Sequence, residues 1–66
     1  MEFIFKEERL RLGLSLEDAA KGMGVRLELL HKWEIGESEP LAVNLRRMAE
    51  FYGCSPDHLL GLKERR

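Results

Sequence analysis

The sequence predicts an all-α domain built from five short helices. Apolar residues recur at intervals of three and four residues, the spacing that places side chains on one face of a helix. Serine precedes and glycine follows several of these segments, as is typical of helix starts and stops. We expect residues 1–66 to form a single domain, although a chain this short buries only about 60% of its unfolded surface.

The first helix is predicted to run from about Ile4 to Leu12. Phe5, Arg9 and Leu12 fall on one face, because they are separated by four and three residues. Gly13 follows as the expected stop. Arg9 therefore lies on an apolar stripe, where a charged side chain needs a partner.

Residues 16–35 predict two helices joined by a tight turn at Gly24, which is the spacing of a helix-turn-helix. Ser15 is the expected cap of the first of these helices, with Asp18 three residues later as in a capping box. Gly22, in the last turn of that helix, costs about 1 kcal/mol relative to Ala and predicts a loose turn. The apolar positions that face each other are Ala19, Ala20, Met23, Leu30 and Trp33.

The fourth helix is predicted over about Ala42 to Tyr52 and is ended by Gly53. Ser55 and Pro56 open a short fifth helix, Ser as the N-cap and Pro at the first helical position. The inward residues of the fourth helix are Leu45, Met48, Ala49 and Tyr52, and the fifth helix carries Leu59 and Leu60. Residues 62–66 are expected to form a frayed tail.

Composition and charge limit the classes of protein to consider. Nothing in the sequence approaches the ~20 consecutive apolar residues of a membrane span. The first residues lack the basic start and the apolar run of a secretory signal, so we expect a cytoplasmic protein.

Eleven Lys and Arg against twelve Asp and Glu give a net charge of −1. Any basic patch that contacts nucleic acid must therefore be local.

A catalytic or metal site is not predicted. The sequence contains no paired carboxylates, nucleophile–base arrangement or glycine-rich phosphate loop, and its length leaves little room for a catalytic pocket. Cys54, Asp57 and His58 are residue types that bind metals, but at the start of a helix they usually serve packing and capping. The single cysteine cannot form an internal disulfide, which is typical of a reducing compartment. We expect no enzymatic activity and no cofactor.

Further residues stand at fixed spacing around the two-helix unit. They are Arg9-x-x-x-Gly13-Leu14-Ser15 upstream and, downstream, Trp33-Glu34-x-Gly36-x-x-x-Pro40, Asn44-Leu45, Met48-Ala49 and Leu59-Leu60-Gly61. With these motifs the chain from about residue 5 to 61 resembles the phage repressor/Cro-type (xenobiotic-response-element) family of helix-turn-helix DNA-binding domains. The resemblance implies a five-helix, lambda-repressor-like bundle whose third helix enters the major groove of DNA.

The third helix, expected over about Leu27 to Ile35, carries most of the candidate DNA-binding residues. The resemblance places four residues of its exposed arc opposite base edges: Arg26, Leu27, Glu28 and Lys32. Arg26 and Lys32 could donate to guanine O6 and N7, and Glu28 could accept from cytosine N4. Leu27 could pack on a thymine methyl group.

Each of these assignments has a structural alternative. The exposed arc could be an ordinary solvated face, with Glu28 favouring the dipole of the helix. His31 is open between a phosphate contact and plain solvent exposure. Ser15 lies close to where the family touches the DNA backbone, but its role as a helix cap also accounts for it.

The resemblance also implies a structural ion pair between Arg9 and Glu34 that joins the first helix to the third. Removing one partner of such a pair costs about 3–5 kcal/mol when burial is deep. The chain departs from the family at Leu16, usually a glutamine that holds a phosphate, and at Ile35, usually an asparagine. The following loop, residues 37–39, is often basic in the family but here reads Glu-Ser-Glu.

Phe3 and Leu62 are apolar residues without a place in the predicted core. Family members often dimerise through the last helix and its neighbouring loop. Phe3, Leu59 and Leu62 therefore form a candidate dimer interface, with ordinary surface exposure as the alternative.

The leading hypothesis is a sequence-specific transcriptional regulator, a repressor that binds a pseudo-palindromic operator in double-stranded DNA as a homodimer. The rival is a repressor-like scaffold that acts through protein contacts, as an antirepressor or antitoxin-like partner would, with weak or no DNA binding. Glu28, Glu37 and Glu39 favour the rival, as does the loss of polar residues at positions 16 and 35. A continuous positive strip flanking the third helix would favour the DNA reader.

Overall fold

Five helices make up the computed structural model, which describes residues 3–61. They are α1 (Phe5–Arg11), α2 (Leu16–Met23), α3 (Leu27–Ile35), α4 (Ala42–Tyr52) and α5 (Pro56–Leu59). No strand occurs among the described residues. The predicted all-α, five-helix fold is confirmed. The bounds of α3 and α4 agree with the predicted ones, and α1 is one residue shorter at each end than expected.

The core is one cluster of buried apolar side chains in which α2 occupies the centre. α2 packs against both α3 and α4, α1 packs against α3, and α5 packs against α4. The buried apolar residues are Phe5, Ala19, Ala20, Met23, Leu30, Trp33, Met48, Ala49, Tyr52 and Leu59. The inward faces predicted for α2 and α3 are therefore the faces that the protein buries.

α1 buries a different face from the predicted stripe. Phe5 and Arg9 are buried as expected, but Leu12 is 42% exposed. Leu12 lies one residue past the end of α1, so the helical spacing that placed it inward no longer applies there. Glu8 is buried instead, at 7% exposed, because it follows Phe5 by three residues on the same side of the helix. The inward placement of Leu12 was wrong.

Leu59 lies in the core and not at a dimer interface. It is 0% exposed and belongs to the same buried cluster as Phe5. The backbone N–H of Ile4 donates to the carbonyl oxygen of Leu59 at 3.0 Å, which holds the end of α5 against the start of α1. The assignment of Leu59 to a dimer interface is therefore wrong, because a side chain without exposed surface cannot contact a second protomer.

Gly22 allows α2 and α4 to approach each other closely. A Cβ atom at this position would lie 2.4 Å from Cε1 and 2.6 Å from Cζ of Phe51, far inside the contact distance of two carbons. The ring of Phe51 thus occupies the space that a side chain at position 22 would need. The last turn of α2 is packed against α4, and not loose as the glycine alone had suggested.

Two expectations concern the ends of the chain. Phe3 is half-buried, and its ring stacks on that of Phe5 with 4.9 Å between the ring centroids. Leu62 and the tail at 62–66 lie outside the described residues. Within residues 3–61, no helix is long and apolar enough to span a bilayer.

Candidate nucleic-acid interface

The turn between α2 and α3 is built from local hydrogen bonds. At the start of α2, Ser15 Oγ accepts from the backbone N–H of Asp18 at 3.0 Å. At its end Gly24 has a left-handed backbone, with φ 76° and ψ 31°, that a residue with a Cβ rarely adopts. The N–H groups of Gly24 and Val25 both donate to the carbonyl of Ala20, at 2.9 and 3.0 Å. These bonds close α2 and fix the direction in which α3 begins.

The outward face of α3 carries all the residues predicted to contact base edges or a phosphate from this helix. They are Arg26, Leu27, Glu28, His31 and Lys32, and every one of them is exposed. Arg26 precedes the helix in an extended conformation, and its side chain makes no capping hydrogen bond. Within residues 3–61, neither Arg26 nor Lys32 forms an ion pair, and nor does Glu28. This face therefore presents charges that the fold itself does not use.

The same face is concave. Arg26, Glu28, Leu29 and Lys32 line an open hollow of about 430 Å³. Two cations thus flank one carboxylate around a half-buried leucine. Such a surface offers two donor groups and one acceptor group within two turns of helix, which are the groups that base edges in the major groove can bind.

The Arg9–Glu34 ion pair joins α1 to the end of α3. Arg9 Nε donates to Glu34 Oε2 at 2.8 Å, and Nη2 donates to Oε1 at 3.1 Å, so the pair is bidentate. Nη1 donates to the carbonyl oxygen of Leu14 at 2.9 Å. The hydrogen bonds to Glu34 raise the pKa of the Arg9 guanidinium, although burial opposes this shift. The structure brings the two predicted partners together and so joins α1 to the last turn of α3.

A second charge cluster, built around the buried Glu8, was not predicted from the sequence. Glu8 accepts from Arg11 Nε at 2.9 Å and from His58 Nε2 at 3.1 Å. Arg11 Nη2 also donates to the carbonyl oxygen of Tyr52 at the end of α4, at 3.1 Å. The cluster thus connects α1, α4 and α5. The spacing of Glu8 and Arg11, three residues apart on one helix, was the sequence signal that could have indicated part of it.

The environment of Glu8 favours its charged form. Burial acts to raise the pKa of the carboxyl, but hydrogen bonds from His58 and Arg11, and the charges of these groups, outweigh burial. The pKa of Glu8 is therefore lowered. This carboxylate is part of the scaffold, because its lone pairs are used within the fold.

The residue types that bind metals do not converge. Among residues 3–61, no group of three His, Cys, Asp or Glu side chains could hold a metal ion. Cys54 is half-buried, and burial raises the pKa of its thiol. Burial likewise raises the pKa of the neighbouring Tyr52 hydroxyl to about 12, and that hydroxyl has no hydrogen-bond partner in the described part of the chain.

The positions at which the chain departs from the family pattern offer no basic group to a DNA phosphate in the structure. Leu16 packs against the core instead of presenting a polar group. Ile35 is 55% exposed at the end of α3. Glu37 and Glu39, in the loop between α3 and α4, are both exposed. A phosphate approaching along this loop would meet two carboxylates, so backbone contacts from here are unfavourable.

Comparison with known proteins identifies the family of the chain. A helix-turn-helix family model matches residues 5–59. The P22 c2 repressor, solved in complex with synthetic operator 9T in the presence of Tl+, is 32% identical over 85% of this chain and 85% of that chain, with a TM-score of 0.80. A transcriptional regulator from Listeria innocua is 26% identical, with a TM-score of 0.72; the match covers 100% of this chain and 65% of the regulator. No curated protein matches the sequence. The chain belongs to the helix-turn-helix family of the phage repressor/Cro type.

Proposed function

We propose that the protein is a transcriptional regulator that reads double-stranded DNA with the outward face of α3. The observation that carries this proposal is the presence of Arg26 and Lys32 on one exposed arc, with no ion-pair partner among residues 3–61. Cations without a partner remain available for guanine and phosphate. The similarity to a repressor solved on its operator supports the same role. We place the protein in the cytoplasm, because DNA is its proposed partner.

The residues of the α3 face take distinct roles in this proposal. Arg26 and Lys32 donate to guanine O6 and N7, and Glu28 accepts from cytosine N4. Leu27, which is 39% exposed, packs on a thymine methyl group. His31 contacts a phosphate.

Ser15 contributes a phosphate contact at the start of α2. Its oxygen already accepts the N–H of Asp18, but the hydroxyl proton is left to donate. Capping and phosphate binding are therefore compatible in one side chain.

We propose that the protein binds as a homodimer to a pseudo-palindromic operator and acts as a repressor. One reading helix spans only a few base pairs, whereas two related by a twofold axis read half-sites about 34 Å apart. An open hollow of about 680 Å³, lined in part by Phe3, Ile35 and Leu60, is where we place the contact between protomers. Phe3 keeps its proposed role there, and Leu60 takes the place of Leu59. The role of Leu62 stays a prediction.

Selection of bound fragments from a genomic DNA library, followed by a footprint, tests the proposal. We expect an enriched, pseudo-palindromic sequence that is protected on one face of the duplex over two half-sites. Sedimentation of the protein with and without this DNA should show two protomers on each operator. A selection that enriches no sequence would contradict DNA reading, and a single protomer on the enriched site would contradict the homodimer alone.

A second candidate function is a scaffold that binds another protein through the same surface. The acidic character of Glu28, Glu37 and Glu39 and the exposed Ile35 favour it. Under this hypothesis no duplex is enriched, and Glu28→Ala does not alter the affinity for any DNA. The two functions therefore give opposite results in the same selection experiment.

A further inference from the structure

Arg47 of α4 lies over the turn of the helix-turn-helix. If Gly24 carried a Cβ atom, that atom would be 3.9 Å from Nη1 of Arg47. Arg47 is exposed, and Gly24 precedes Arg26 by two residues. The guanidinium of Arg47 therefore lies close to the turn that leads into α3.

The packing of α4 against α2 fixes this position. The ring of Phe51 fills the space beside Gly22, and Arg47 precedes Phe51 by four residues on the same face of α4. Phe51 lies beside Gly22, and Arg47, earlier in α4, lies beside Gly24, later in the chain than Gly22. The residue order along α4 is thus opposite to that along the end of α2. Arg47 therefore reaches the turn because α4 passes antiparallel to the end of α2.

Arg47 has no ion-pair partner within residues 3–61. Glu50 follows it by three residues, a spacing that permits an ion pair on a helix, yet their charged atoms are not within 4.0 Å of each other. Lys21, exposed in the last turn of α2, is a second basic residue within three positions of Gly24.

We propose that Arg47 binds a DNA phosphate beside the helix-turn-helix turn, adjacent to the bases that Arg26 contacts. This inference rests on the proposed function. A phosphate is the expected target because Arg47 extends from α4, outside the helix that enters the groove, and the planar guanidinium matches phosphate geometry. This contact binds the DNA backbone next to the turn that follows α2. The α3–α4 loop, which follows the other end of α3, carries two exposed glutamates that disfavour a phosphate contact there.

The chain offers a matched control for this proposal. Arg46, the neighbour of Arg47, has the same charge but lines a separate hollow with Val43 and Pro56. Affinity for the selected operator and for a random duplex is measured over a range of salt concentrations for Arg47→Gln and Arg46→Gln. We expect Arg47→Gln to weaken binding about tenfold on both duplexes and to make the salt slope shallower by about 0.9 for each bound protomer. Arg46→Gln should change the slope by much less.

Arg47→Lys separates charge from packing, because it keeps the cation and should therefore keep the salt slope. Equal salt slopes for the two glutamine variants, or a shallower salt slope in Arg47→Lys, would overturn the proposed phosphate contact. Loss of preference at a single base pair in Arg47→Gln would also overturn the proposal, since that result indicates a base contact. If wild-type protein binds no duplex, the proposed function itself fails. If wild-type protein binds and Arg47→Gln binds equally well, the inference about Arg47 fails alone.

Discussion

The buried charges of α1 and the exposed charges of α3 are of the same kinds, but the fold pairs the first and leaves the second without a partner. In α1, Glu8 and Arg9 are 7% and 8% exposed, and each is hydrogen-bonded to side chains of other helices. In α3, Glu28 and Lys32 are exposed and form no ion pair with any residue from 3 to 61. Charge alone thus does not mark a binding surface. The charges that remain available to a ligand are those for which the fold provides no partner.

The largest expected effect is the loss of a paired charge. Glu34→Ala should reduce the free energy of unfolding by about 3–5 kcal/mol, because Arg9 is then buried without its carboxylate. The side chain of Glu34 is only 3% exposed, so solvent does not replace the lost partner. Denaturant unfolding measures this loss. Glu28→Ala on the same helix is the control and should cost at most about 1 kcal/mol. Equal losses in the two variants would remove the distinction between paired and unpaired charges.

Glu8→Gln should reduce stability by about 1–3 kcal/mol at neutral pH, because two charge-assisted hydrogen bonds are weakened. The sign of the pH dependence follows from the lowered pKa of Glu8. Its stabilisation is complete above the ordinary value of 4.5 and is lost as pH falls through the lowered one. The gap in unfolding free energy between wild type and Glu8→Gln should therefore narrow in acid.

The control for this pH experiment is Glu7→Gln, on the exposed side of α1. Its stability should stay within about 0.5 kcal/mol of wild type, as is usual for surface substitutions. The difference in unfolding free energy between wild type and Glu8→Gln could instead stay constant over the whole acid range. That result would show that the carboxylate is not stabilised by its partners.

Glu28→Ala tests whether an unpartnered carboxylate on α3 specifies a base. If Glu28 accepts from cytosine N4, the change should cost about 1–3 kcal/mol on the preferred operator and relax the preference at one base pair in each half-site. Affinity for random DNA should rise or stay level, because a charge that repels phosphate is removed. Binding is measured on operators varied at each position. Uniform tightening on all sequences would instead assign Glu28 to the helix dipole.

The smallest expected effect is that of Arg11→Gln on DNA binding. The guanidinium of Arg11 is engaged by Glu8 and by the carbonyl of Tyr52, so neither affinity nor salt slope should change. Arg26→Gln, the comparison variant, should lose about 1–3 kcal/mol of operator binding. Titration of both variants against the operator at several salt concentrations provides the measurement. A loss of operator affinity in Arg11→Gln as large as that in Arg26→Gln would show that a paired arginine also reaches the DNA.

The local parts of the fold could be predicted because their causes are local in sequence. Ser15 caps α2 through the N–H three residues later, and Gly24 ends the same helix through carbonyls in its last turn. The exposed residues of α3 could likewise be predicted, because helical spacing fixes them once Leu30 and Trp33 are placed inward. The partner of Arg9 came from the family resemblance, since nothing in the spacing of single residues links the first helix to the third.

The remaining features depend on contacts between distant segments. The burial of Glu8 requires His58, fifty residues later in the chain. The role of Gly22 is visible only when the ring of Phe51 is placed beside it, because helix propensity alone favours a loose turn. Arg47 belongs to the same class, since its position over the turn follows from how α4 packs. No pattern in a single sequence indicates which of these distant residues contact each other.

The hydrogen bond from Ile4 to Leu59 makes the two ends of the domain depend on each other during folding. The α2–α3 pair closes through a turn of a few residues, whereas the ends can meet only after a loop nearly as long as the domain has closed. Loop closure of this length has a larger entropic cost, and contacts of high sequence separation form slowly. We expect the helix-turn-helix to form early and α1 to dock with α5 late. Truncation at either end therefore removes one of the contacts that dock the other end.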